Sequence, residues 1–248
     1  MPLHRYPITI LSSVDSTNNY AMAQVHAGLA KHGFACFAHK QTAGRGQRGK
    51  SWHTGHSQNI ALSVVIDPGK LKLNNQFYLS ASVALGCYDL FSKYAGDETS
   101  IKWANDIYWQ NRKAGGILIE NITRDKSWKW SIAGIGININ QSRFSKELKN
   151  PVSLKQITGK DFDIEIMAKE LHKAVMKRID ELNAANYKSI LTEYNEHLYK
   201  LNEPVRLKKN NAVFSTVIKS VSANGELHTK DTLERHFTFG EVEWIINV

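Results

Sequence analysis

Apolar positions fall into short runs separated by glycine, proline and asparagine breaks, and the runs change period along the chain. Ile8-Thr9-Ile10-Leu11 reads as a short strand. Asp15-Ser16-Thr17 can cap a helix running to about residue 32, with Gly33 as its stop. Residues 34–38 and 59–66 are compact apolar strands, the second ended by Asp67-Pro68-Gly69. Phe77, Leu79, Val83, Leu85, Leu90 and Phe91 mark a long, largely buried helix over 74–94, closed by Gly96. Short strands then crowd together at 99–103, 107–109, 116–120 and 128–139. Gln110-Asn111-Arg112-Lys113 and Arg124-Asp125-Lys126-Ser127 are plausible hairpin turns between them.

After the break at Asn150-Pro151 the period becomes helical. Ile164, Met167, Leu171, Val175, Ile179 and Leu182 define an amphipathic helix from about residue 163, and 187–199 reads as a second. Beyond Leu201 the pattern alternates, as in Pro204-Val205-Arg206-Leu207 and His236-Phe237-Thr238-Phe239. Asn210-Asn211 and Asn224-Gly225 supply turn signals. The expected layout is a first unit over 1–201 and a small all-β module over 202–248.

Composition adds little beyond a globular class. The chain has 248 residues, 42% hydrophobic and 22% charged, enough for a sizeable core. No apolar run approaches the ~18 residues of a membrane span, and the N-terminus lacks a signal-peptide pattern. Cys36 and Cys87 sit in apolar runs and read as buried thiols rather than a disulfide framework. Together these point to a cytoplasmic protein. The net charge of +9 suits an anionic small ligand, an acidic protein or nucleic acid. No helix-turn-helix, zinc-finger or RNA-recognition signature supports the last, so a DNA- or RNA-binding reading rests on charge alone.

Candidate chemistry concentrates in the loop Gln41-Thr42-Ala43-Gly44-Arg45-Gly46-Gln47-Arg48-Gly49-Lys50-Ser51-Trp52. Its glycines let backbone approach a ligand, and its cations suit phosphate. No Asp or Glu lies between Asp15 and Asp67, so nothing near in sequence cancels the charge. Residues 44–51 also match the P-loop pattern G-x-x-x-x-G-K-S. A P-loop leaves a strand directly and opens a helix, whereas this loop stands off from residues 34–38 and runs into another strand.

Other stretches carry polar groups where an apolar pattern does not need them. Ser16-Thr17-Asn18 can bind a polar ligand head or simply cap a helix. Lys102-Trp103-Ala104-Asn105-Asp106 joins a cation to a turn. Lys113 precedes Gly115 and Gly116 at a strand start. Gly134-Ile135-Gly136-Ile137-Asn138 places two glycines inside an apolar strand, which weakens it unless something packs against the backbone. No Cys/His cluster has metal-ligand spacing, no G-x-S-x-G elbow occurs, and no protein metal ligands are assigned. A cationic, backbone-rich site suits electrostatic catalysis at phosphates.

In this order and spacing, Ser16-Thr17-Asn18, Gln41-Thr42-Ala43-Gly44-Arg45-Gly46, Lys102-Trp103-Ala104-Asn105-Asp106, Arg112-Lys113-Ala114-Gly115-Gly116 and Gly134-Ile135-Gly136-Ile137-Asn138 resemble the biotin protein ligases. The resemblance covers roughly residues 8–200, and the C-terminal module more weakly. It implies an α+β fold: a mixed β-sheet catalytic domain with helices packed on one face, then an SH3-like β-barrel. It implies a ligase that forms biotinyl-AMP from biotin and MgATP and passes biotin to a lysine of a biotin carboxyl carrier domain of a carboxylase.

By the resemblance, Arg45, Lys113 and Asp106 are the catalytic residues. Ser16, Thr17, Asn18, Gln41, Gly44, Arg45, Trp52, Lys113, Gly115, Gly134 and Gly136 belong to the biotin site. Arg45, Gln47, Arg48, Lys102, Asn105, Lys113 and Asn138 belong to the ATP site. The family's G-R-G-R reads Gly44-Arg45-Gly46-Gln47 here, leaving Arg48 one residue late, and its K-W-P-N-D has Ala104 for proline. The expectation is a monofunctional form without an N-terminal DNA-binding domain; a homodimer is compatible with it. Lipoate- or octanoate-handling enzymes of the same fold are the alternative, and a P-loop nucleotidase is a more distant one.

Overall fold

The structure is a computed structural model that describes residues 6–52, 55–125 and 127–246. Its first unit comprises β1 (Ile8–Leu11), α1 (Thr17–His26), β2 (Ala35–Ala38), β3 (Asn59–Ile66), α2 (Gln76–Ala95), β4 (Thr99–Lys102), β5 (Asp106–Trp109), β6 (Arg112–Arg124) and β7 (Ser127–Asn138). Helices α3 (Leu154–Thr158), α4 (Ile164–Asn183) and α5 (Tyr187–Glu196) complete it. Among the described residues these strands form a seven-stranded sheet of order β1-β2-β3-β7-β6-β5-β4. Only β1 and β2 are parallel, so the sheet is mixed.

Strand alternation gives the sheet two different faces. Ile60, Leu62, Val64 and Ile66 of β3 pair across the ladder with Ile137, Ile135, Ala133 and Ser131 of β7. All of these apolar side chains join the main core with Leu79, Val83 and Phe91 of α2 and Met167, Leu171 and Val175 of α4. Each such fully buried side chain contributes about 1.5–3 kcal/mol. Gly86 lets the two helices touch: a Cβ there would lie 2.7 Å from Val175 Cα. Glu and Asp carboxylates of Asp89 and Glu193 hold the buried Arg178 of α4, tying α2, α4 and α5 together.

Every residue of β3 is buried, so its second face needs a cover as well. Helix α1 supplies it. Ala21 packs with Cys36, Val65 and Ile132 in a separate cluster on that side. The layering therefore differs from the one-faced arrangement expected: α2 and α4 line one face, and α1 takes the other. Helix α1 also stops earlier than residue 32. Gly28, at φ +70, turns the chain out of the helix, and its N–H donates to the Val25 carbonyl.

The long β6–β7 hairpin extends beyond the strands expected at 116–120 and 128–139. Lys126, within the second predicted turn, lies outside the described residues. Helix α3 was not anticipated, although Ser153 and Gln156 form a capping box at its start.

The C-terminal part comprises β8 (Pro204–Lys209), β9 (Ala212–Val221), β10 (Leu227–Lys230), β11 (Glu234–Phe237) and β12 (Glu243–Ile245). Their order is β11-β10-β9-β8-β12, all antiparallel. No ladder joins β11 to β12 among the described residues, so this is an open sheet rather than the expected closed barrel. It leans on the first unit through Trp103, whose indole N–H donates to the Gly225 carbonyl at 2.9 Å. No helix among the described residues is long and apolar enough to cross a membrane. Both cysteines are buried and unbridged, and burial pushes the Cys36 thiol up to about 12.

Candidate active site

The face of the sheet shared with α1 is where the side chains stop being apolar. Gly134 and Gly136 of β7 point there, as do Gly116 and Leu118 of β6, which they oppose in register. A pocket opens over this glycine floor. Ser16, Thr17, Asn18, Gln41, Arg45, Gln47, Trp52, Asn105 and Lys113 line it. The floor must be glycine because its neighbours rest directly on it. A Cβ on Gly134 would lie 2.3 Å from Asn18 Oδ1, and one on Gly136 would lie 2.2 Å from Trp52 Cε2.

One wall is a buried polar network built on the start of α1. Ser16 occupies the N-cap position, yet its side chain makes no capping bond. Gln41 caps the helix from the loop instead: its Oε1 accepts from the Thr17 N–H at 2.8 Å and from the Thr17 hydroxyl at 3.1 Å. Ser63 Oγ lies 2.7 Å from Thr17 Oγ1 and 2.6 Å from Asn18 Oδ1. The Asn18 amide donates to Glu120 at 2.7 Å. Ser16, Thr17 and Asn18 are each under 5% exposed, so this network is desolvated and fixed.

A cationic wall adjoins this network through Glu120. Arg45 donates to Glu120 Oε2 at 2.7 Å, and Lys113 donates to Asp106 Oδ1 at 2.7 Å. The expectation that nothing cancels the loop's charge fails through space: Glu120, far along the chain, supplies the carboxylate. The Lys113–Asp106 pair stands over Gly116, whose absent side chain leaves it room; a Cβ there would be 3.4 Å from Lys113 Nζ. Lys113 Nζ also lies 6.0 Å from the centre of the Trp52 ring.

The loop itself is not a P-loop. Among the described residues the next named element after Ser51 is a strand, β3, not an α-helix; Arg45 and Ser51 form an antiparallel bridge, and the turn Gln47–Gly49 is helical in type. Lys50 is exposed. Gly44 is needed for this closure, since a Cβ would lie 2.3 Å from the Trp52 carbonyl oxygen. Gly44 thus shapes the loop from outside the pocket.

The neighbours Gln47 and Arg48 part company. Gln47 enters the pocket, donating to the Ile117 carbonyl at 3.3 Å, while its Oε1 is buried without a partner. Arg48, at φ +57, turns away to the C-terminal sheet. It donates to the Gly240 carbonyl at 3.2 Å and stacks 5.4 Å from the Phe239 ring. Trp52 Nε1 is likewise buried without a partner. Both residues line the pocket, so a polar ligand there can supply the missing partners.

Of the other expected residues, only Asn105 reaches the pocket. Asn105 lines it, its amide anchored on the Ile117 carbonyl at 2.8 Å. Asn138 is turned inward and donates to the Val152 carbonyl at 3.1 Å, pinning the segment that flanks Lys113. Lys102 lies between the Tyr108 and Trp244 rings, 5.2 and 5.1 Å from their centres, and burial pushes its ammonium down to about 8. Gly115 faces the core: a Cβ would lie 2.5 Å from Ile137 Cδ1. The pocket-facing glycine is Gly116. Sequence reading missed Glu120, Ser63 and Gly116; the visible signal for Ser63 was a hydroxyl inside an otherwise apolar strand.

A site of this kind can hold an anionic small molecule beside two cations and a buried hydrogen-bonding wall. The family model for the biotin/lipoate A/B protein ligase family matches residues 10–138, just over half the chain. The chain belongs to that family. The bifunctional ligase/repressor BirA of Escherichia coli (strain K12) is 26% identical over 224 residues, 89% of this chain and 68% of that protein. A biotin–[acetyl-CoA-carboxylase] ligase of Paracoccus denitrificans is 27% identical over 226 residues, 88% of this chain and 92% of that one. The structure of a biotin protein ligase from Aquifex aeolicus in complex with biotin and ATP has the same fold. It superposes with a TM-score of 0.81 at 24% identity, covering 97% of this chain and 99% of that one.

Proposed function

We propose that this chain is an ATP-dependent biotin protein ligase acting on a biotin carboxyl carrier domain, with MgATP as co-substrate. The observation that carries this reading within its family is the buried polar wall of Ser16, Thr17, Asn18 and Gln41. A ureido ring is neutral and needs several hydrogen-bond partners when taken out of water, which this wall of hydroxyl and amide groups offers; a dithiolane ring has no polar group to meet them. Trp52, resting on Gly136, borders the apolar part of the ligand.

The first step joins two anions. A biotin carboxylate oxygen attacks the α-phosphorus, and the bond to the pyrophosphate oxygen breaks. The carboxylate is already ionised at neutral pH, so no proton needs removing. Arg45 and Lys113 reduce the repulsion and stabilise charge developing at the α-phosphate. Glu120 and Asp106 hold both cations in place, and the incoming anions take over these partners. Gln47 and Asn105 border the phosphate region, and Lys102 adds field from behind.

In the second step the neutral acceptor amine attacks the acyl carbon, AMP leaves, and the amine's extra proton is lost. A free lysine has a pKa of about 10.4, so it must be deprotonated on arrival. Asp106, released as Lys113 turns to the ligand, accepts that proton or orients the amine. The open sheet over 204–245 is read as an SH3-like module that supports the Trp103 turn from outside.

The test is mass spectrometry of a purified carboxyl carrier domain mixed with enzyme, MgATP and either biotin or lipoate. Biotin alone should add its mass to one lysine. Modification by lipoate with no biotin product would overturn the reading.

A further inference from the structure

The C-terminal sheet brings together side chains that sequence spacing keeps apart. His228 of β10 and His236 of β11 are direct cross-strand partners, and their rings stack 3.9 Å apart at 10°. Glu226, two residues before His228, projects on the same side. One donor atom from each of Glu226, His228 and His236 lies within 4.8 Å of the others. His228 Nε2 is buried and has no hydrogen-bond partner among the described residues. A register shift in the β9–β10 pairing falls between His228 and Thr229, the kind of bulge that re-aims a side chain.

We infer that Glu226, His228 and His236 form a binding site for a borderline divalent transition metal such as Zn2+. Two imidazoles and a carboxylate are a common donor set for that ion, with water as a fourth ligand. Metal–donor bonds of about 2.0–2.2 Å require donors roughly 3.3–3.6 Å apart. Rotating the rings about χ2, a broad and soft torsion, and swinging the Glu226 carboxylate closes the remaining gap. Binding gives the buried His228 nitrogen the partner it lacks. The cross-strand clamp would also brace the turn whose Gly225 carbonyl receives the Trp103 indole N–H. Spacing rules overlooked the site because its donors come from two strands of a hairpin. The inference is independent of the ligase reading.

The test is calorimetric titration of Zn2+ alone into the full chain, purified without a histidine tag. Saturable binding of one equivalent and a metal-dependent rise in Tm are expected. His236 is exposed, so His236→Ala should keep the fold, checked by circular dichroism, and weaken binding by at least about tenfold. His228→Ala should do the same, and Glu226→Gln should weaken it less. His56→Ala, at a separate histidine pair, should change nothing. Absence of stoichiometric binding, or binding unchanged in His236→Ala, would overturn the inference. So would loss of binding in His56→Ala alone. If His228→Ala fails to fold, His236→Ala decides.

Discussion

The two faces of the central sheet are made by the same strands and serve opposite ends. On the face covered by α2 and α4, Ile60, Leu62, Val64, Ile135 and Ile137 interlock with those helices. On the other face, one residue out of phase, stand Ser63, Gly116, Glu120, Gly134 and Gly136. A one-residue step thus separates a packed core from a pocket floored by glycine and walled by paired charges. The difference teaches that the pocket floor needs no element of its own: it is the part of the second face that α1 leaves open, walled by the start of α1 and the 41–52 loop. Substitutions on the two faces should therefore fail in different ways.

The largest effects belong to the cations. Arg45→Ala and Lys113→Ala should each lower biotin-dependent adenylation by about 10²–10³-fold, the usual cost of one electrostatic contact made at the reacting phosphate. Lys50→Ala, exposed in the same loop, should change it by no more than about twofold. Stopped-flow or steady-state assay of the adenylation step separates these outcomes, and a collapse at Lys50 would revive a P-loop reading.

Adjacent glycines give the next contrast. Gly136→Ala places a methyl group against the Trp52 ring and should weaken biotin binding by at least about tenfold with Tm little changed, since the ring can move only into the ligand's place. Gly115→Ala meets Ile137 and the Gly136 carbonyl instead. It should destabilise the fold by about 1–3 kcal/mol, as overpacking does, with any affinity change following from that. Calorimetry of binding and thermal melting on both variants would decide. Equal effects on both quantities would erase the distinction between the faces.

Glu120→Gln should have a smaller effect. It weakens the bonds from both Arg45 and Asn18. The expected result is a several-fold rise in KM for biotin with kcat nearly unchanged, because the residue positions binding groups without touching reacting atoms.

The smallest effect concerns pH. Burial pushes Lys102 down to about 8, below the unfolded value near 10.4. Between these pH values the unfolded chain binds a proton that the folded chain does not. The Lys102 contribution to stability should therefore rise with pH across about 8 to 10 and be flat below 8. Lys102→Met should remove that slope from denaturant melts compared with the parent chain, and should stabilise the protein below pH 8.

Much of this was legible in the residues. The apolar run at 59–66 marked β3, and the 3.6-residue period at 164–182 marked α4. Ser16, Thr17, Asn18, Gln41, Arg45, Gln47, Trp52, Asn105, Lys113, Gly134 and Gly136 do converge on one pocket. What remained hidden depends on phase and on distance through space. Gly115 and Gly116 are neighbours, and the β6–β7 register, which sets Gly115 opposite Ile137 and Gly116 opposite Gly136, decides which faces the pocket. Glu120 lies 75 residues from Arg45, so no local pattern links them. Arg48 looked like a phosphate ligand until the fold placed the Gly240 carbonyl beside it.

The central claim is that paired cations over a glycine floor activate a biotin carboxylate by adenylation. ATP–pyrophosphate exchange with radiolabelled pyrophosphate tests it most directly. Exchange should be negligible with enzyme and MgATP alone, appear on adding biotin, and fall by about 10²-fold or more in Arg45→Ala. Exchange that runs equally well without biotin, or that survives intact in Arg45→Ala, would contradict the account.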